Sequence, residues 1–412
     1  MTRDFAFGIK KREGIVSRWA EQRMAPPPLI LDRNGAVFER RTYRHDGLEL
    51  VAWIIRPPGP GPFPLLVLNH GSGIEIASDG TLTDVSSRYA VDPENPAWAR
   101  LAANGAFTLL PEGRGYGGSE GPSPLDAARG GHGTTFDMLV GRASDANAAA
   151  AWACIRSDVD GAHSAIAGAS HGGVVSLLAA ALRPYGAVVA QATGAAYGRI
   201  EASVRPIANA AARITAPVLF QHMRTDTLVP PEGARTIFDW SSRFRPLQRW
   251  RDYPGTPGIE GHNIYHPANA RQILPDYVEA IRAGFAYATS EPEDPPEQWT
   301  ALDFLLPVTL RPDAQRWSGR FGDAGPDAMV ALDGEQVVYS WKDQNSRGFR
   351  EGTVTRHGDA LSVEPWPGVS LRLEPLPGDA LQATYEWRGQ KSVARLDPTS
   401  GRHRVRPPAA QA

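Results

Sequence analysis

The chain has 412 residues, of which 42% are apolar and 21% charged, enough for a substantial core and, at that length, for two folding units. A formal net charge of −2 excludes a broadly basic surface for nucleic acid or an anionic membrane. The single cysteine, Cys154, excludes an intramolecular disulfide and a cysteine-based metal site.

The N-terminal stretch "MTRDFAFGIKKREGIVSRW" has no continuous apolar segment and no cleavage site, so it reads as an amphipathic helix rather than a secretory leader. With no apolar run long enough to span a bilayer, a cytoplasmic protein is expected, or a secreted one if a leader has been removed. Lysine occurs only at Lys10, Lys11, Lys342 and Lys391. The arginine excess, alongside many Ala, Gly and Pro, reads as base composition of the gene rather than a phosphate-binding surface.

Next come two alternating stretches, "AVFERRTYR" and "LELVAWIIRP", with "HDG" between them: a hairpin. The Pro-rich "PPGPGPFP" breaks the chain before "LLVLNHGSG", a short apolar run ending in glycines. From there strands and helices alternate. Buried strands are expected at "AFTLLPEGRG", "HSAIAGAS", "GAVVAQATG", "APVLFQHM" and "LQRWRDYPG". Helices are expected at "PAWARLAANG", "ASDANAAAAWACI" and "GVVSLLAAAL", with Cys154 a small buried hydrophobe in the second. Continuous apolar strands alternating with helices imply a doubly wound, mostly parallel sheet covered on both faces.

The acidic, Pro-rich "TSEPEDPPEQW", residues 289–299, reads as a linker. Beyond it short alternating strands, from "AMVALDG" to "KSVARLDP", are separated by Gly, Asp and Pro turns, which suggests a smaller all-β domain, an antiparallel barrel or sandwich. The expected division is 1–295 and 296–412.

The pattern G-x-S-x-G occurs twice, at Gly168-Ala169-Ser170-His171-Gly172 and at Gly117-Gly118-Ser119-Glu120-Gly121. With 42 glycines in 412 residues the pattern alone means little, and context must decide. A nucleophile elbow needs a strand, a tight turn carrying the serine, and a helix whose first amides face the reaction centre. Ser170 has all three, between "SAIAG" and "VVSLLAAAL". Ser119 is followed by "GPSPLD", whose two prolines are expected to prevent a helix. Ser170 is therefore the candidate nucleophile and Ser119 a polar turn residue.

A serine hydroxyl needs a base to take its proton and an acid to orient that base. In this topology they follow the serine in the order acid, then histidine. Asp226, past the strand "APVLFQHM", sits where ligand-facing residues collect; the competing reading is a turn or helix-capping aspartate. Asp252 is the weaker candidate acid, in or beside the final strand. Of the later histidines, His262 in the Gly-rich "GIEGHN" is the candidate base, and His266, before a proline, is expected to start a helix. One oxyanion donor is the backbone N–H of His171; the second comes from "LNHGSG", with Ser72 preferred over Gly71. The bland reading of that loop is a flexible turn.

Together, "LNHGSG", "GRGYGGSEG", "AGASHGG", Asp226 in "RTDTLVPP" and His262 in "EGHN" resemble the α/β-hydrolase superfamily, in its dienelactone-hydrolase-like and prolyl-oligopeptidase-like branches, over residues 35–288. The resemblance implies hydrolysis through an acyl-serine, with no metal or organic cofactor. Dienelactone hydrolases proper use a cysteine nucleophile, so their lactonase activity does not carry over to a chain with Ser170. An aspartate commonly precedes the Arg-Gly-x-Gly stretch in the family, whereas the nearby acid here is Glu112. A carboxylic ester is the first expected substrate and a peptide or amide the second. A hydrolase fold used only for binding is the third reading. The partner is then a small or peptide-like acyl compound, not nucleic acid or membrane. Only about twenty residues separate the sixth strand of the fold from "TAPVLF", too few for a cap domain, so segments 74–94 and 119–142 are expected to rim an open cleft.

Overall fold

The structure, a computed structural model, describes residues 29–33, 35–76, 82–84, 91, 101–129, 132–193, 200–289, 300–306, 308–310, 314–321, 326–342 and 347–399. The expected N-terminal helix, the greater part of the 289–299 linker with the boundary at 295, and most of segment 74–94 lie outside the described residues.

The first sheet begins with β1 (Leu29–Arg33), β2 (Ala36–His45) and β3 (Leu48–Arg56), joined antiparallel through tight turns. It continues with β4 (Phe63–Asn69), β7 (Phe107–Pro111), β8 (Val159–Ala169), β9 (Ala187–Gln191), β10 (Val218–Met223) and β11 (Gln248–Tyr253). Two short strands, β5 (Ile74–Ile76) and β6 (Leu82–Asp84), form a separate ladder. The order across the large sheet is β1-β2-β3-β7-β4-β8-β9-β10-β11, and every pairing from β7 onward is parallel.

The continuous apolar runs account for this arrangement. Leu65, Val67, Ile166, Val188 and Phe220 point into one core, while Leu66, Ala165, Ala167, Val189 and Leu219 point into a second on the opposite face. A strand buried on both faces has no polar side to show, and its hydrophobic pattern becomes continuous. The first core is covered by α2 (His132–Cys154), α3 (His171–Leu182), α4 (Ile200–Arg213) and α5 (Pro231–Ser241). The second is covered by α6 (Pro267–Phe285), which His266 caps by accepting from the Ala268 amide.

One expectation about local structure fails. A six-residue helix, α1 (Pro124–Arg129), begins five residues after Ser119, at a proline of "GPSPLD". Proline at the first helical position loses no hydrogen bond, because that N–H has no partner within the helix anyway, and its fixed φ suits the turn. "PAWARLAANG" contributes only a 3-10 turn, Ala102–Asn104, among the described residues.

The second unit is one nine-stranded antiparallel sheet: β12 (Gln315–Arg320), β13 (Asp327–Asp333), β14 (Gln336–Lys342), β15 (Arg347–Thr353), β16 (Thr355–His357), β17 (Ala360–Trp366), β18 (Val369–Pro375), β19 (Leu381–Trp387) and β20 (Gln390–Pro398). Its order, β15-β14-β13-β12-β20-β19-β18-β17-β16, sets the first and last strands side by side. The sheet curls around one core that includes Trp317, Val330, Val337, Val363, Leu371 and Leu396. This is the barrel alternative, with open edges at β15 and β16 rather than full closure.

Candidate active site

In the large sheet the chain leaves β4 toward β7 on one side and resumes at β8 on the other. Such a reversal opens a crevice at the C-terminal strand ends, where ligands bind in open α/β sheets. The loop His70-Gly71-Ser72-Gly73 follows β4 and Ser170 follows β8, so both lie at that crevice.

Ser170 has φ 56° and ψ −125°, a conformation that non-glycine residues rarely adopt. The turn is held by its own amide, which donates to Gln191 O at 2.9 Å, and by its carbonyl, which accepts from Gly173 and Val174. The flanking glycines follow from close approach: a Cβ on Gly172 would lie 2.1 Å from Asn69 O, and one on Gly168 would lie 2.3 Å from Gly172 O. The Ser170 hydroxyl makes no hydrogen bond among the described residues. Helix α3 begins at the next residue, His171, so its N-terminal end opens at the elbow.

Ser119 is placed differently. Its Oγ accepts from the Val51 amide at 2.9 Å, and its own amide donates to Tyr116 O at 2.8 Å. The surrounding loop is organised by Glu112, whose carboxylate accepts from Trp53 Nε1 at 2.9 Å and from the Gly118 amide at 2.7 Å. Burial pushes the Glu112 carboxyl above its ordinary range, partly offset by the Gly118 amide and by Arg40. Arg114 grips Asp145 on α2 with two side-chain bonds, at 2.8 and 3.0 Å. The second G-x-S-x-G is thus a stitched turn.

Asp226 follows β10 and is buried. Its Oδ1 accepts from the Val229 amide at 2.8 Å, and its Oδ2 lies 2.9 Å from His262 Nδ1. Burial tends to raise this carboxyl, but bonds from His222 and His262 outweigh it and hold Asp226 below its ordinary value. His262 reaches the acid through Gly261, where a Cβ would lie 2.3 Å from the Asp226 amide nitrogen. Glu260 ties the same loop to the acid loop by accepting from Thr227 N at 2.7 Å. The charge of His262 also reaches His171, whose imidazole burial, Arg142 and His262 depress to about 3. Asp252 lies in β11, paired with Arg224 at the surface and away from His262. His266 is occupied as a helix cap.

Three residues that local sequence pattern did not single out belong to this region. His222, on β10, places Nε2 2.8 Å from Val229 O and 3.2 Å from Asp226 Oδ2. Arg142 and Tyr116 bind the loop after β4. Of these only His222 left a trace, a histidine four residues before the candidate acid in a strand buried throughout. Of the expected pocket rim, 74–76, 82–84, 91, 119–129 and 132–142 are described, and they include β5, β6, α1 and the start of α2.

Residues 46–205 match the family model of the X-Pro dipeptidyl-peptidase (S15 family), a span that holds the loop after β4 and the elbow but ends before Asp226 and His262. A search of curated proteins returned no match. Among solved structures, the chain is similar to a protein described as a dienelactone hydrolase from Klebsiella pneumoniae (20% identity, 61% of this chain and 99% of that one, TM-score 0.44). It is also similar to acetyl xylan esterase 1 from Thermoanaerobacterium sp. (17%, 65% and 93%, 0.42) and to an acylaminoacyl peptidase from Pyrococcus horikoshii (15%, 64% and 44%, 0.47). The strand order and the strand–turn–helix at Ser170 are those of an α/β-hydrolase fold, and the family match covers the part of it from β3 to the start of α4.

Proposed function

We propose that the protein hydrolyses a carboxylic ester of a small or peptide-like acyl compound through an acyl-serine, with Ser170 as nucleophile, His262 as base and Asp226 as the acid that orients it. The observation that carries this reading is the 2.9 Å contact of His262 Nδ1 with a buried carboxylate, at the sheet edge that holds the elbow. The carboxylate fixes the proton on Nδ1 and leaves the Nε2 lone pair to take the serine proton. As that proton leaves, Oγ bonds to the substrate carbonyl carbon and the carbonyl electron pair moves onto oxygen. The backbone amides of His171 and Ser72 receive the negative oxygen. Collapse re-forms the carbonyl and expels the alcohol, which takes the proton from His262. Water then attacks the acyl-enzyme with His262 again as base, and the carboxylic acid and free Ser170 result.

An ester is preferred because an alkoxide leaving group makes the smaller demand on protonation. The second reading, a serine peptidase or amidase, uses the same residues and is favoured by the match to the dipeptidyl-peptidase family over residues 46–205. A fluorophosphonate probe followed by peptide mapping tests the site: labelling at Ser170 is expected, and an unlabelled chain would indicate a binding protein. A panel of p-nitrophenyl esters and aminoacyl anilides then separates the readings. Turnover of anilides but not esters would overturn the ester assignment.

A further inference from the structure

The loop between β4 and β5 is held from beneath by a buried cation. Arg142, on α2, donates from one terminal nitrogen to His70 O at 2.8 Å and from the other to Gly71 O at 3.3 Å. The Tyr116 hydroxyl donates to Ser72 O at 2.6 Å, and the Arg142 guanidinium lies 4.5 Å from the centre of the Tyr116 ring. Three consecutive carbonyls are therefore fixed by side chains from two other elements. The amides of Gly71 and Ser72, between those carbonyls, donate to nothing among the described residues.

The charge of Arg142 is itself unusual. It is buried, and no carboxylate pairs with it among the described residues. Its partners are carbonyl oxygens, the His70 ring and the Tyr116 hydroxyl. His70 and His171, which flank the elbow and the loop, are both depressed to about 3, by burial first and then by Arg142. Neutral rings at both places leave the guanidinium as the positive charge against the His70-Gly71 backbone. A buried cation without a carboxylate is costly to fold around, so its retention next to the elbow calls for a reason.

We infer that Arg142, with Tyr116, is the positioning residue of the oxyanion loop: it turns the amides of Gly71 and Ser72 toward the substrate oxygen and sets an unneutralised positive charge behind them. The inference rests on the proposed hydrolase reading. It predicts that the clamp acts on the transition state, where the oxygen is charged, and hardly on the bound substrate.

The test uses the full chain and the variants Arg142→Gln, Arg142→Lys and Tyr116→Phe, each checked for folding by near-UV circular dichroism. Measured are the fluorophosphonate labelling rate at Ser170, kcat and KM on p-nitrophenyl acetate, and inhibition by a trifluoromethyl ketone, which binds as a charged tetrahedral adduct. Arg142→Gln should lower labelling, kcat and ketone affinity together by about 100-fold, the scale of one oxyanion donor, with KM within about threefold. Arg142→Lys keeps the charge but not the fork, and should recover part of each loss. If Arg142→Gln does not fold, Tyr116→Phe, which removes the hydroxyl held by Ser72 O and Arg142 but keeps the ring beside the guanidinium, decides the matter with a loss of about tenfold in kcat and ketone affinity. A labelled parent whose folded variants keep kcat and ketone affinity within threefold, or lose only KM, overturns the clamp alone. A parent that is not labelled at Ser170 overturns the hydrolase reading and the clamp with it.

Discussion

His262 Nδ1 lies 2.9 Å from Asp226 Oδ2, across 36 residues of sequence and two loops from neighbouring strands. The contact is built into the backbone: Gly261 N donates to Thr225 O at 3.1 Å, and no side chain could fit at residue 261. His222 approaches the same carboxylate oxygen from within β10, at 3.2 Å. With Val229 O 2.8 Å from the same Nε2, its proton belongs on Nε2, so that an N–H shared between Val229 O and the carboxylate faces Asp226.

Asp226→Asn should therefore lower kcat by about 10⁴-fold while the chain stays folded, because an amide favours the wrong tautomer of His262. Asp252→Asn breaks only an exposed pair with Arg224 and should change the rate and the stability little, within about 1 kcal/mol. Steady-state kinetics on one ester measures both. Equal losses would mean that the acid had been misassigned.

The two serines separate by a different pair of measurements. Ser170→Ala should abolish labelling and lower turnover by about 10⁶-fold with the urea midpoint close to that of the parent. Ser119→Ala should keep activity but leave the Val51 amide without its partner, at a cost of about 1–3 kcal/mol in urea unfolding. An inactive Ser119→Ala variant with normal stability would reverse the assignment.

The sheet was legible because its central strands, such as "LLVLN" and "VLFQHM", are buried on both faces and so carry unbroken apolar runs. Ser170, Asp226 and His262 were legible as residue types in a fixed chain order at strand ends. Arg142 was not. It meets His70 across 72 residues, and an arginine inside a helix looks the same in sequence whether it faces solvent or the underside of a loop. The helix at Pro124 was misread for a local reason, since a proline stops a helix from inside but starts one at its first turn. In the β unit, "QRWSGR" lacks a clear alternation of apolar residues, and β12 was overlooked although it joins the two ends of the sheet.

Acid should destabilise the catalytic unit. His70 and His171 take up protons in the unfolded chain below about pH 6.5 but stay neutral in the fold until about 3. Between those values the unfolded state binds more protons, so their contribution is complete above about 6.5 and is lost as pH falls. The slope is at most about 1.4 kcal/mol per pH unit for each histidine. Glu112, raised by burial, works against this trend. Urea unfolding of the parent at pH 7.5 and 5.0 should show the loss, and His171→Asn should show a smaller one. Parallel curves for parent and variant would mean that His171 is protonated in the folded chain.

The connection between the two units leads to the last prediction. Residues 300–306 are not a slack tether. Phe304 is fully buried in the core of the first sheet, edge-on to Phe136 at 6.4 Å, and Asn209 of α4 donates to Phe304 O at 3.1 Å. Arg213, at the end of the same helix, donates to Leu306 O at 2.7 Å, while burial and the repulsion of Arg316 depress its guanidinium to about 9. Leu302, Leu305, Leu306 and Leu310 face the other way and pack with Met329, Ala331 and Val338 of the β sheet. One short segment thus serves two cores. We propose that the catalytic unit extends past 295, through Phe304, and that a chain cut at 295 loses part of its own core. Phe304→Ala in the full chain should cost about 3–5 kcal/mol in urea unfolding. Cutting at 295 should cost at least as much, since Asn209 also loses its carbonyl partners. A cut at 310 should restore the catalytic unit's midpoint but leave the four leucines exposed and the protein prone to self-association. A chain ending at 295 with the same midpoint as one ending at 310 would show that Phe304 adds nothing to the catalytic core and that the two units fold independently.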